Sequence, residues 1–147
     1  MDIGVLYVST SRLRLPQEEV EIDRIVDWSR ARNAELDVTG ALVFTERNFA
    51  QYLEGPAGGV DRLMESIERD PRHTDVRIVY RRPLQERLFP TWTLAYAGPS
   101  TFVAGHVLSV EEAAATPSAL KAADRLVQLM RQFAAAQLHE ERRKSAS

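Results

Sequence analysis

Four side chains could do chemistry on one surface of this sequence: Tyr7, Asn33, Gln51 and Trp92. Gln51 poses the sharpest question. In the stretch Asn48 to Gly55, Phe49, Gln51 and Leu53 share one face of a strand, while Ala50, Tyr52 and Glu54 share the other. An amide is thus set between two apolar neighbours on a face that must be covered. A buried amide brings two donors and two lone pairs and is costly without partners, so something polar must meet Gln51 there. For an inward Tyr or Trp alone, core packing with a satisfied polar tip is the ordinary explanation. Asn33 closes a helix, where a cap serves as well as a binding group. The histidines His73, His106 and His139 are too scattered for a metal site, and no carboxylate pair joins them. Ser9, Thr10 and Ser11 have no evident His or Asp partners for a hydrolytic triad. No glycine-rich phosphate loop follows any strand.

These residues need a framework, and the patterning supplies one. Ile3 to Ser9 is a nearly continuous apolar run, which predicts a central strand broken at Ser9-Thr10-Ser11. Pro16 and an acidic first turn open a helix to about Arg32, with Ile22, Ile25, Val26 and Ser29 on one face. A second strand spans Leu36 to Thr45, and Glu46-Arg47-Asn48 turns the chain back into the Gln51 strand as a hairpin. Val60, Leu63, Met64 and Ile67 fall at i, i+3, i+4 and i+7, a helix stopped by Asp70-Pro71. Val76 to Tyr80 and Thr91 to Tyr96 are the fourth and fifth strands. The order βαββαββ, with helical crossovers that favour parallel pairing, predicts an α+β, ferredoxin-like sandwich with a five-stranded mixed sheet. Both helices cover one face. A short helix near Val110–Ala115 and a longer one after Thr116-Pro117 cover the other, through Leu126, Val127, Met130, Phe133, Ala134 and Leu138.

Composition bounds the possible functions. A chain of 147 residues, 44% hydrophobic and 27% charged, fits one globular unit with a helical appendage. A net charge of −2 gives no basic field, so nucleic acid is not an expected partner. No apolar run reaches the roughly 20 residues needed to span a bilayer, and no signal-peptide pattern is present. The absence of cysteine excludes disulfides and thiolate chemistry and fits a reducing compartment. The expected location is the cytoplasm.

Several segments together resemble the BLUF family, blue-light sensors that hold FAD in a ferredoxin-like domain. They are Tyr7-Val8-Ser9, Ala31-Arg32-Asn33-Ala34 leading into Val38 to Leu42, and Phe49 to Gly55. Ile67 to His73 and Phe89-Pro90-Thr91-Trp92 continue them in family order and spacing, so the resemblance covers about two-thirds of the chain. It implies a flavin ring between the two helices, with Ile25 and Ile67 against its faces. Ser29 would also contact the cofactor, and Asn33 would bond the polar edge of the ring. Gln51 would stand between the flavin and the Tyr7 hydroxyl, with Asp70, Arg72 and His73 toward the ribityl-phosphate end.

The resemblance also implies a mechanism. Blue light excites oxidised FAD, Tyr7 transiently gives up an electron and a proton, and the Gln51 side chain rearranges or tautomerises. A strengthened hydrogen bond to the flavin carbonyl remains, seen as a small red shift without net redox change. Reorienting an amide exchanges donor for acceptor at two contacts, enough to bias neighbouring packing. Trp92 and Leu94 on the fifth strand are the implied relay, with Leu94 standing where many members have methionine. Ser66 and Arg32 depart from the common pattern too. The resulting division is a flavin-binding domain at residues 1–98, a helical extension at 99–143 and a flexible tail at 144–147. As in short members of the family, output would pass through a protein partner, and the broad tail stripe points to a homo-oligomer. The photosensor is not expected to be an enzyme. Two readings compete: a flavin-free regulatory module on the same fold, and an acylphosphatase-like enzyme, for which Ser9 to Arg12 is a faint imitation of the phosphate loop.

Overall fold

The structure, a computed structural model, describes residues 1–14, 17–89, 95–97 and 118–146, the side chains of 95–97, 118–119 and 137–146 apart. The apolar opening run forms β1 (Asp2–Ser11), buried along nearly its whole length. It continues through Ser9 and Thr10 instead of breaking there, because Thr10 still pairs with Asn48 and Ser11 with His73 on neighbouring strands. Helix α1 (Glu19–Glu35) buries Ile22, Val26, Ser29 and Asn33. It outlasts the expected end at Arg32, so Asn33 lies within its last turn and Leu36 is the cap residue. Asp37, at φ 56°, then turns the chain into β2 (Thr39–Phe44).

The hairpin to β3 (Asn48–Pro56) is pinned by Thr45, whose Oγ1 accepts hydrogen bonds from the Asn48 and Arg47 amides. The Asn48 side-chain amide donates to the Ser9 carbonyl at 3.1 Å, tying the hairpin to β1. Helix α2 (Ala57–Arg69) buries Val60, Leu63 and Met64 as its periodicity requires. Beyond it, β4 (His73–Pro83) is longer than the alternating core of Val76 to Tyr80. β5 is described at Ala95–Ala97, and α3 spans Ser118–Ala146. The helical extension therefore continues past residue 143. The expected short helix near 110–115, the Thr116-Pro117 cap, and Trp92 and Leu94 lie outside the described residues.

The sheet is ordered β4-β1-β3-β2-β5. The expectation that helical crossovers make parallel neighbours is corrected here. Among the described residues the parallel pair is β2 with β5, and every other neighbouring pair is antiparallel. The hairpin is the cause: it inserts β3 between β1 and β2, so α1 carries the chain to a strand two places away. Gly40 permits close approach at that junction, since a Cβ there would stand 1.9 Å from the Tyr52 carbonyl oxygen.

Strand alternation gives the two sheet faces different cores. On the side away from α1 and α2, one continuous cluster joins Leu6, Val8, Ala50 and Tyr52 to Leu126 and Met130 of α3. On the α1/α2 side the apolar residues fall into two clusters. One gathers Ile3, Val5, Leu53, Val60 and Leu63 under α2, and the other Ile22, Val26, Leu42, Phe44 and Phe49 under α1. Gln51 occupies the β3 position between Phe49 of one and Leu53 of the other. The amide sits where the core is divided.

Candidate functional site

Register places the central pair. Tyr7 and Gln51 are directly opposed across β1 and β3, on the side facing the helices. The Tyr7 hydroxyl donates to Gln51 Oε1 at 2.5 Å, and the two residues are only 3% and 4% exposed. Burial first, and the negative charge of Asp70 second, push the Tyr7 phenol far above its ordinary range. It is held neutral, as a donor. With Oε1 accepting from Tyr7, the Gln51 Nε2 group has no hydrogen-bond partner among the described residues. Two donors on a buried amide are thus left for something that enters the site.

A slot opens at this pair, in the gap between the two helix-side clusters. Ile25 and Ser29 of α1 form one wall, Ile67 of α2 the other, and Leu42 and Phe49 floor it beside Gln51. The slot is narrow, with a cavity volume of ≈ 40 Å³. Trp28, Asp70 and Arg72 border both the slot and a wider outer mouth of ≈ 500 Å³. A flat ring with a polar edge suits the inner part, and a charged, flexible substituent suits the outer.

The sequence-identified residues sort plainly. Tyr7, Ile25, Ser29, Gln51, Ile67, Asp70, Arg72 and His73 are brought together around the slot. Asn33 is buried one helical turn beyond Ser29 but is not part of the lining. Arg72 grips Asp70 through Nε at 2.9 Å and Nη2 at 2.6 Å, and its backbone amide donates to the same carboxylate. Burial alone would push the Asp70 carboxyl up, but the Arg72 hydrogen bonds outweigh it and hold the group below its ordinary range. That hydrogen bond in turn raises the Arg72 guanidinium, against its partial burial.

His73 sits deeper than the charged end of the slot. Its ring meets the edges of Tyr7 and Phe49, with centroids 6.2 and 6.1 Å away. Nε2 bonds the Ile67 carbonyl, which can only accept, so that nitrogen carries a proton. In the neutral ring Nδ1 then accepts from the Ser9 hydroxyl at 2.7 Å. The expectation that Ser9 has no histidine partner is thereby corrected. The pair is still no hydrolytic centre: Ser9 is 1% exposed, and a backbone carbonyl stands where a triad carries its carboxylate.

Three lining residues escaped sequence reasoning. Phe49 read only as an apolar neighbour of Gln51, and Leu42 was assigned no role. Trp28 follows Ile25 at i+3, the spacing that makes helix neighbours, which was the available signal. A second site also went unrecognised on the opposite sheet face. The fully buried Glu54 carboxylate accepts from the Leu88 amide at 2.8 Å, the Phe89 amide at 2.5 Å and the Tyr52 hydroxyl at 3.1 Å. Gly4 makes room for that hydroxyl, because a Cβ there would stand 2.5 Å from it. No group of residues suited to a metal ion occurs among the described residues. No described helix is long and apolar enough to cross a membrane.

The family described as sensors of blue light using FAD, BLUF, matches residues 3–95. The chain is 41% identical over 88 residues to photoactivated adenylate cyclase subunit beta of Euglena gracilis, covering 59% of this chain and 10% of that protein. It thus spans about a tenth of the length of such curated relatives. Among solved structures, the dark state of BlrB, a BLUF protein, superposes with a TM-score of 0.69 at 27% identity. That match covers 86% of this chain and 94% of the other. Klebsiella pneumoniae BlrP1 with FMN and cyclic diGMP gives a TM-score of 0.64 at 27% identity, over 92% of this chain and 35% of that one.

Proposed function

The chain belongs to the BLUF family of blue-light sensors using FAD, and from that premise we propose that Tyr7 and Gln51 are its photoactive pair. The observation that carries the proposal is the buried Gln51 amide, bonded to Tyr7 on one side and with its Nε2 group left for a bound ring on the other. The residues present fit FAD. Ile25 and Ile67 would flank the ring, Ser29 and Asn33 would serve its α1 side, and Asp70, Arg72 and His73 would hold the side toward the mouth. Bound FAD supplies the blue-light absorption and the electron acceptor.

The chain's own part is proton placement. A phenol that loses an electron becomes strongly acidic, and Gln51 Oε1, 2.5 Å away, is the acceptor in reach. Because the site resists a lone phenolate, the proton does not leave Tyr7 ahead of the electron. An amide that rotates presents the opposite hydrogen-bonding edge on each side, with Nε2 toward Tyr7 and Oε1 toward the ring it would face. Once the electron and the proton have both returned to Tyr7, the rotated amide keeps all its own protons and persists, and its exchanged contacts are the signal.

In the same proposal the signal leaves through β5 and α3 to a protein partner, with Trp92 and Leu94 as relay. The register supports that route, since Gln51 pairs with Leu42 on β2 and Leu42 with Tyr96 on β5. Residues 1–98 would be the sensing unit and the remainder the output, working in the cytoplasm as a homo-oligomer without enzymatic activity of its own. The half-exposed Leu120 on α3 is one apolar contact open to a second copy. The test is Gln51→Leu protein loaded with FAD and illuminated with blue light. It should bind the flavin yet lose the reversible red shift. A normal shift in this variant would overturn the proposal.

A further inference from the structure

β4 and β5 are opposite edges of the sheet, so the chain leaving β4 must cross the inner strands, and residues 84–89 begin that crossing. This strap is fastened twice. One fastening holds it to β1 and the approach to β2. The Leu84 amide donates to the Asp2 carbonyl at 2.9 Å, and Arg87 donates through Nε to the Asp2 carboxylate at 3.0 Å and through Nη2 to the Asp37 carbonyl at 2.9 Å. The other holds it to β3, where the Leu88 and Phe89 amides both donate to the Glu54 carboxylate, at 2.8 and 2.5 Å. That carboxylate is fully buried and is braced by the Tyr52 hydroxyl at 3.1 Å. A backbone carbonyl could accept the same amides without the cost of burying a charge, so a carboxylate here is more than a turn requires. What it secures is Phe89, which is 2% exposed, packs on the Tyr52 ring at 5.5 Å between centroids and shares one cluster with Leu126 and Met130 of α3.

We infer that Glu54 is a positioning residue of the light response, clipping the strap to β3 so that a change at Gln51 is drawn into the core beneath α3. This rests on the proposed photoactive pair and extends it, adding a way out of the site along β3 itself. Tyr7 lies on β1 and Gln51 on β3, three residues before Glu54, so the strap is tied to both strands of the pair. A rotated amide sets Nε2 against the Tyr7 oxygen, and an N–H···O bond of about 2.9 Å replaces the present O–H···O bond of 2.5 Å. The lengthening presses β3 away from β1. Arg87 and Leu84 keep the strap with β1, and the charge-assisted bonds from Leu88 and Phe89, steep in distance, take up the difference.

The experiment follows hydrogen exchange of the Leu88 and Phe89 amides by NMR in the whole FAD-loaded chain, in darkness and under continuous blue light. Absorption spectra are taken on the same samples, and circular dichroism checks the fold of each variant. The unmutated protein should show the red shift together with severalfold faster exchange of these two amides in light. Glu54→Gln should keep the red shift and lose the light-dependent difference, both amides exchanging fast in either condition. Tyr52→Phe leaves the carboxylate in place but unbraced; it should keep the shift and narrow the difference, and it carries the test if Glu54→Gln does not fold. Equal exchange in light and darkness in the unmutated protein, or a variant that retains the full difference, would overturn the clip while leaving the photoactive pair intact. Loss of the red shift in folded Glu54→Gln would also overturn it, because the carboxylate would then act on the site and not on the strap. No red shift in the unmutated protein would overturn the pair itself, and the clip with it.

Discussion

The two faces of β3 follow opposite rules. Toward α3, Ala50, Tyr52 and Glu54 join an uninterrupted core, and the one carboxylate there is met by two backbone amides and a phenol. Toward α1 and α2, Phe49 and Leu53 belong to separate clusters, and the amide between them is bonded on one side only. Equal burial thus serves different ends. Glu54, with its partners in the chain, fixes structure, whereas Gln51 keeps donors that a bound group would meet in the proposed function. The closed face lies one residue from the open one along the same strand, so a change at Gln51 is presented to a rigid neighbour.

That contrast can be broken from the closed side first. Leu126, fully buried on α3, should cost about 2–5 kcal/mol as Leu126→Ala. Thermal or urea unfolding will measure it, and the flavin affinity of the folded protein should be nearly unchanged. Glu54→Gln keeps the shape but turns an acceptor-only group into one that also carries donors against the amides of Leu88 and Phe89. A loss of about 1–3 kcal/mol is expected in the same assay.

Alkaline titration sharpens the comparison, because buried tyrosines stand on both faces. Burial is the first cause raising the phenols of Tyr7, Tyr52 and Tyr80. The unfolded chain releases these protons from about pH 10 while the folded chain keeps them. Stability is therefore fully present below about pH 10 and falls as pH rises above it, by at most about 1.4 kcal/mol per pH unit for each phenol that the folded chain keeps protonated. Urea midpoints at pH 9, 10 and 11 give the slope. Tyr52→Phe should flatten it without touching the slot.

Local pattern made much of this legible. The period of two in Phe49-Gln51-Leu53 and of 3.6 in Val60-Leu63-Met64-Ile67 identified the buried faces, and a buried amide identified the need for a partner. The pairings that depend on topology were not legible. Placing β3 between β1 and β2 follows from a hairpin inserting itself, which no local window records. Ser9 and His73 meet across 64 residues of chain, and the partners of Glu54 are largely backbone amides, which carry no mark in the sequence. Asn33 was read as the end of a helix that runs on to Glu35, since helix termini fray and are weakly encoded.

In the proposed function the Tyr7–Gln51 hydrogen bond is the light-sensitive element. Absorption spectra of the FAD-loaded protein and of Tyr7→Phe, before blue light, after it and during dark recovery, test that most directly. The unmutated protein should shift slightly to the red and recover in darkness, while Tyr7→Phe should keep its flavin and show no such shift. A Tyr7→Phe protein that shifts and recovers like the original would contradict the account.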